Sequence, residues 1–279
     1  MKKPSDSLSM PSQSPSDENA RSLRWIKRAA QGCFAAIATG QGLFLTFILA
    51  FYYPTTLRGE WAHWNAKPLI DGFKVGDTIG NLFFAMHVLL AAVITAGGVI
   101  QLVPAIRIRA PSVHRWIGRI YMVTAMILAV GGLWLVWGRG TYLSTIGAVG
   151  ISADAVAMLT FAGLAWRSAR ARNYAQHRRW ALRLFAVASA VWFMRVGYMV
   201  WGIATGGVGI GPSMDGPFDF FIAFGNSLLP LAIAEAYLRA LERPNKVARY
   251  GVTALLATSA TIVVVGSAGA WFVMWKPFI

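Results

Sequence analysis

The chain has 279 residues, 56% of them hydrophobic and only 13% charged, whereas soluble domains carry roughly 25% charged residues. With a mean hydropathy of +0.52, this composition excludes an ordinary water-soluble fold. The 26 Lys and Arg against 11 Asp and Glu give a net charge of +15, and the single cysteine, Cys33, excludes an intrachain disulfide and a Cys-x-x-Cys metal or redox centre.

In chain order, the first twenty residues are rich in Ser and Pro and hold no apolar run, so they cannot offset the entropy of ordering. The organisation predicted is a disordered cytoplasmic tail, residues 1–24, and a transmembrane domain, residues 25–279. The first apolar run starts too late and extends too far for a cleaved secretory signal and reads as a signal-anchor. Seven apolar runs follow: Ala29–Phe51, Gly80–Val103, Trp116–Trp137, Thr145–Trp166, Trp180–Ile203, Phe218–Leu241 and Val252–Trp275. Each is long enough as a helix to cross ~30 Å of hydrocarbon. Period-two alternation is missing, which excludes a β-barrel. Tyr and Trp at the ends of the runs, among them Tyr52, Trp116, Trp166, Trp180 and Trp275, suit the membrane–water interfaces. The fold class predicted is all-α, a polytopic bundle of seven transmembrane helices.

Lys and Arg set its orientation. Those of the N-terminal tail and of the second–third, fourth–fifth and sixth–seventh connections far outnumber Arg58, Lys67, Lys74, Arg139 and Lys276 in the opposite set. The positive-inside rule then places the N-terminus inside and the C-terminus outside, as an odd span count requires. Topology thus accounts for the net charge, and no nucleic-acid partner is expected. The expected location is the bacterial inner membrane, with anionic lipid headgroups as partners on the cytoplasmic face.

Two outer loops stand apart. Residues 54–79, with Trp61, His63 and Trp64, either lie on the bilayer or cap the bundle. Residues 206–217 (GGVGIGPSMDGP) hold closely spaced glycines, but no strand precedes them and no Lys-Ser/Thr follows, so they read as a flexible loop rather than a phosphate cradle. Small residues recur at spacing four in the first run (Gly32, Ala36, Gly40) and in the last (Gly266, Ala270), which allows close helix packing.

The third run opens with His114-Arg115-Trp116 and Arg119, the fifth with His177-Arg178-Arg179-Trp180 and Arg183. Both phrases follow a basic loop and begin an inside-to-outside helix. Spans two–three and four–five therefore read as copies of one hairpin, or as independent uses of the same interfacial residues. With His87 early in a span, Gln101 near its end, HRWIGRIY at 114–121, HRRWALR at 177–183 and Arg195 downstream, residues 80–200 resemble the bacterial membrane proteins grouped as domain of unknown function 2306. Ala181-Leu182 stands where that family's pattern has Met-Ile. The resemblance implies a polytopic membrane protein and no particular activity.

Ionisable residues inside spans are costly and mark candidate sites. Counted from the outer ends, His87, Asp154, Arg195 and Asn226 all fall roughly 10–14 Å deep at 1.5 Å per residue. This layer reads either as an outward-facing pocket for a small polar or anionic ligand or as a structural Asp154–Arg195 ion pair. An inner layer of His114, Arg115, Arg119, His177, Arg178, Arg183 and Glu235 suits anionic headgroups or phosphate, and Glu235 lies at a depth where Arg119 or Arg183 can meet it. No cofactor is expected on the main reading; the alternative is a haem b redox protein with His114 and His177 as axial ligands. The histidines divide between the two faces, so no metal site is expected. There is no Gly-x-Ser-x-Gly and no His-Glu-x-x-His, and Cys33 has no neighbouring His, so no catalytic residue stands out and the balance is against an enzyme.

Overall fold

The computed structural model describes residues 15–67 and 70–279, and no strand occurs among them. Helix α1 (Pro15–Phe47) runs on through a π-turn, Ile48–Tyr52, and a last helical turn, Tyr53–Leu57. Next come α2 (Thr78–Leu102), α3 (Pro111–Leu133, prolonged by the π-turn Trp134–Gly138) and α4 (Thr145–Arg170). Helices α5 (Tyr174–Ala188) and α6 (Ala190–Thr205) meet at a 53° bend. Helices α7 (Pro217–Glu242) and α8 (Lys246–Ala270, prolonged by Trp271–Trp275) complete the described fold. Among the described residues six helices are long and apolar enough to cross a membrane by themselves, and the bent pair α5–α6 meets the same measure of length and composition when taken together. The protein is a multi-pass helical membrane bundle.

Local chemistry fixes the helix starts. Asp77, Ser144, Asn173 and Asn245 cap α2, α4, α5 and α8, each side chain accepting a backbone N–H of the first turn. Pro111 and Pro217 occupy first helical positions, where a missing N–H costs nothing. The disorder expected for residues 1–24 falls, for 1–14, outside the described residues. From Pro15 the chain is already helical: Ser22 is fully buried, and Arg249 donates to the Asn19 carbonyl at 3.3 Å. The helical unit therefore begins ahead of residue 25.

Helix α1 packs along α8, so the first and last spans are neighbours. Around the bundle α2 follows α1, α3 follows α2 and α4 follows α3, while α7 contacts α4, α5, α6 and α8. The bend at Ser189 takes α6 inward, where Trp192 and Val196 join Phe47, Phe51 and Phe84 in the principal core. Glycines permit that approach. A Cβ on Gly266 would lie 2.6 Å from Val196 Cγ1, and one on Gly40 would lie 2.6 Å from Trp192 and press on Ser267. The small residues of the first and last runs thus serve packing within the chain at Gly40 and Gly266. Gly32 has nothing within 4 Å and plays no such part.

Two outcomes are expected. Reporters fused after Ile279 should read from the side opposite to reporters placed at 171–173 or 243–245. Gly266→Val should lower stability by about 1–3 kcal/mol through overpacking, seen as a lower thermal midpoint in detergent, while Gly32→Val leaves the midpoint unchanged.

Candidate functional site

One end of the bundle, the end the Lys and Arg count assigns to the outside, is closed by the segment between α1 and α2. Trp64 is 1% exposed; its indole N–H donates to Thr55 Oγ1 at 3.1 Å, and its ring lies 5.4 Å from that of Phe84. Gly72 fits beneath it, since a Cβ there would sit 2.7 Å from the Phe84 ring. Arg139, just past the π-turn of α3, anchors the cap. Its Nε meets Asp77 at 2.7 Å, and its other nitrogens reach the Gly72 carbonyl at 3.1 Å and Asn81 Oδ1 at 2.7 Å. The Arg139 guanidinium, with the Gly80 N–H, holds the Asp77 carboxyl below the usual carboxylate range. Of the two positions open to this loop, the structure shows the cap.

Beneath the cap lie two cations without an anion. The Lys67 ammonium projects into a ring of aromatics, 4.6 Å from the Tyr52 ring centre, 5.2 Å from that of Phe47 and 5.5 Å from that of Phe51, and it donates to the Tyr52 hydroxyl. Arg195, on α6, lies over Phe44 at 5.3 Å and donates to its own helix at the Val191 carbonyl. Neither pairs with a carboxylate among the described residues. Burial and the charge of Arg195 lower the Lys67 ammonium to about 7. Trp192 and Trp275 add buried indole N–H groups without acceptors.

The four side chains expected at one level do stand nine or ten residues from the capped ends of their helices, as the bounds of α2, α4, α6 and α7 show. They do not converge. Asp154 faces Asn226 and Ser227 across the α4–α7 contact. His87 sits beside Gly132 of α3, its Cε1 3.4 Å from where a Cβ would be, with Nδ1 buried and unpartnered. Of the two readings of that layer, the Asp154–Arg195 ion pair does not occur among the described residues: past the bend at Ser189, Arg195 lies over Phe44 of α1. Lys67 was counted in the sequence only as an outer-loop charge; its position among Trp61, Trp64 and the aromatics ending α1 was the available signal.

At the opposite, Arg-rich end, Glu235 accepts from Arg183 at 2.7 Å and from Arg239 at 2.9 Å, with Arg179 at 3.7 Å. Of the two partners expected for Glu235, Arg183 is the one found. Arg119 instead stacks on Trp116 at 4.8 Å, as Arg183 stacks on Trp180 at 4.5 Å. Each His-Arg phrase is also fastened to the preceding helix: Gln101 donates to the His114 carbonyl at 2.9 Å, and His177 Nδ1 lies 3.0 Å from the Ala165 carbonyl. The paired Trp–Arg clamps agree with copied hairpins. Arg115 donates to Ser112 at 3.1 Å, within its own helix, and Arg178 is exposed.

Residues 84–211 match the family model described as "Predicted membrane protein (DUF2306)". The resemblance read from the two His-Arg phrases is thereby shown, over nearly the stretch expected. The matched segment holds His87, Gln101, both phrases, Asp154 and Arg195; Lys67, Asn226 and Glu235 lie outside it. No curated protein and no solved structure matches the chain.

Glu235→Ala should destabilise the protein by about 1 kcal/mol, the scale of a partly exposed pair, because three arginines lose their shared carboxylate. Adding Arg183→Met should restore part of the loss in thermal melts. An unchanged midpoint for Glu235→Ala would show that the cluster contributes nothing to stability.

Proposed function

We propose that the protein binds a small anion at its capped end, between Arg195 and Lys67. The observation that carries this reading is the pair of half-buried cations beneath the cap, with no carboxylate of the described residues beside them. Like charges repel strongly where water is scarce, and an ionisable group at mid-membrane depth ordinarily finds a partner. Aromatic faces offset part of the cost but neutralise neither charge. An anion between the two cations removes the repulsion. Tyr52, whose oxygen accepts from Lys67, keeps its own proton to donate to such a ligand. The outward-facing ligand site expected from the sequence is thus retained as a proposal, with Arg195 kept and with Lys67 and Tyr52 as its further walls.

The sign of the pH dependence follows from Lys67. Its ammonium is lowered in the fold to about 7, below its unfolded value of ~10.4, so the fold loses stability as pH falls from the higher value to the lower. Anion binding requires the protonated form and therefore strengthens as pH falls through 7. In thermal melts at fixed ionic strength, phosphate, chloride or acetate should raise the midpoint of the wild-type protein, and more at pH 6 than at pH 8. Arg195→Gln and Lys67→Gln should each abolish or reduce that rise; in anion-poor buffer Arg195→Gln should not destabilise, since it removes an uncompensated charge. No anion-specific rise in the wild type would overturn the proposal.

A second reading, haem between His114 and His177, has one supporting observation: the two rings are near enough for their charges to interact. A Soret band that shifts on reduction of the purified protein would establish it, and a colourless preparation would dismiss it.

A further inference from the structure

Helices α4 and α7 run in the same direction, and Asp154 and Asn226 each stand nine residues past the first residue of their helix, about 13 Å along it. One turn earlier the backbones come together: a Cβ on Gly150 would press on the Ala223 carbonyl. The two side chains therefore face one another in a narrow seam. Asn226 is only 3% exposed. Asp154 Oδ2 and Asn226 Oδ1 are both buried and both without a hydrogen-bond partner. Pro230 deepens the shortage of donors, since it has no N–H for the Asn226 carbonyl four residues before it. Two acceptors cannot satisfy one another, and an unmet buried acceptor costs ~1–3 kcal/mol. One hydrogen on the carboxyl turns Asp154 into a donor and satisfies both oxygens.

We propose that Asp154 and Asn226 form a proton-binding site, in which the neutral Asp154 carboxyl donates its proton from Oδ2 to Asn226 Oδ1. No ion pair involves Asp154 among the described residues. The charged groups on the helices packed against α4 lie at other levels. On α3 they are His114, Arg115 and Arg119, near its first turns; on α5, His177, Arg178, Arg179 and Arg183, likewise; on α7, Asp219 at the capped end and Glu235, Arg239 and Glu242 at the other. Tyr121 of α3, Tyr174 of α5 and Tyr237 of α7, the remaining titratable groups on these helices, also lie toward the Arg-rich end. Asp219 already accepts from Tyr198 at 2.6 Å and from the Gly211 and Gly216 N–H groups. With no cation opposite Asp154, its proton is the available means of neutralisation. A divalent metal ion is a poorer occupant: such ions take six or more oxygens, and the side chains that engage the carboxyl, Asn226 and Ser227, bring one oxygen each.

This site stands on observations independent of the anion site, and its test is separate. Infrared difference spectra of the protein in lipid at pH 7, exchanged between water and deuterium oxide, should contain a carboxylic-acid carbonyl band that moves with carbon-13 labelling of aspartate. Asp154→Asn should remove the band, and Asn226→Leu, which takes away the acceptor, should shift it to higher frequency. Should either variant fail to fold, the labelled wild-type band still decides. Three results would overturn the proposal: no aspartic-acid band in the wild type, a band that survives in folded Asp154→Asn, or a thermal midpoint raised by sodium over potassium only while Asp154 is present, which would mark a cation site.

Discussion

The hydrogen bond from Gln41 to Ser189, at 2.7 Å and buried, joins α1 to the bend between α5 and α6, and the arrangement of the capped half depends on it. Helix α5 lies on the wall of the bundle against α4 and α7. A straight continuation would keep the second half of the span on that wall. Bent by 53°, α6 enters the interior and delivers Trp192 and Val196 to the core and Arg195 to the Phe44 face of α1. Glycines at positions 40 and 266 make room, and the polar bond ties the bend to α1. The bond meets the Gln41 amide nitrogen and the Ser189 hydroxyl, groups that are costly to leave unmet in an apolar setting, while Gln41 Oε1 stays buried without a partner.

Much of the fold was legible because depth in a membrane is a one-dimensional quantity. Each helical residue advances 1.5 Å, so apolar run lengths gave the spans, and counting from their ends put His87, Asp154, Arg195 and Asn226 at one level. The helix bounds keep each of them nine or ten residues from those ends. Rotation about the bundle axis was not legible, since it depends on which helix faces which and on the bend in the fifth span. The residue types gave no warning of that bend. Pro230, the usual mark of a broken helix, lies within an unbroken α7, while the chain turns at Ser189. The Glu235–Arg183 pair was legible for the opposite reason: both residues sit near a helix end, where few neighbours compete. Lys67 was hidden because a loop has no periodicity to place its side chains.

Charge is distributed unequally between the two ends. At the Arg-rich end cations meet acids: Glu235 serves Arg179, Arg183 and Arg239, Glu242 serves Arg179, and Glu18 serves Lys246. These pairs are partly exposed, and each contributes little. At the capped end Arg139 has Asp77, whereas Arg195 and Lys67 have aromatic faces and each other's repulsion. The difference lies in access to counter-charge, and it singles out Arg195 and Lys67 rather than the more numerous arginines opposite.

The two hairpins of the family-matched segment begin alike and end differently, and the candidate chemistry lies where they diverge. At the Arg-rich end both carry a Trp with an Arg stacked three residues later, fastened to the preceding helix through Gln101 in one and the Ala165 carbonyl in the other. Toward the capped end α3 continues straight into its π-turn and contributes Arg139 to the cap, while the second hairpin bends and contributes Arg195 to the interior. Both hairpins thus carry an Arg–Trp anchor at that end. One of them can then fasten the lid while the other carries a charge beneath it, which a pair of identical straight hairpins does not provide. Asp154, on the first helix of the second hairpin, remains on the wall that the bend leaves behind. The same departure from symmetry therefore separates the acid from the arginine: Asp154 faces Asn226 and Ser227, and Arg195 lies over Phe44.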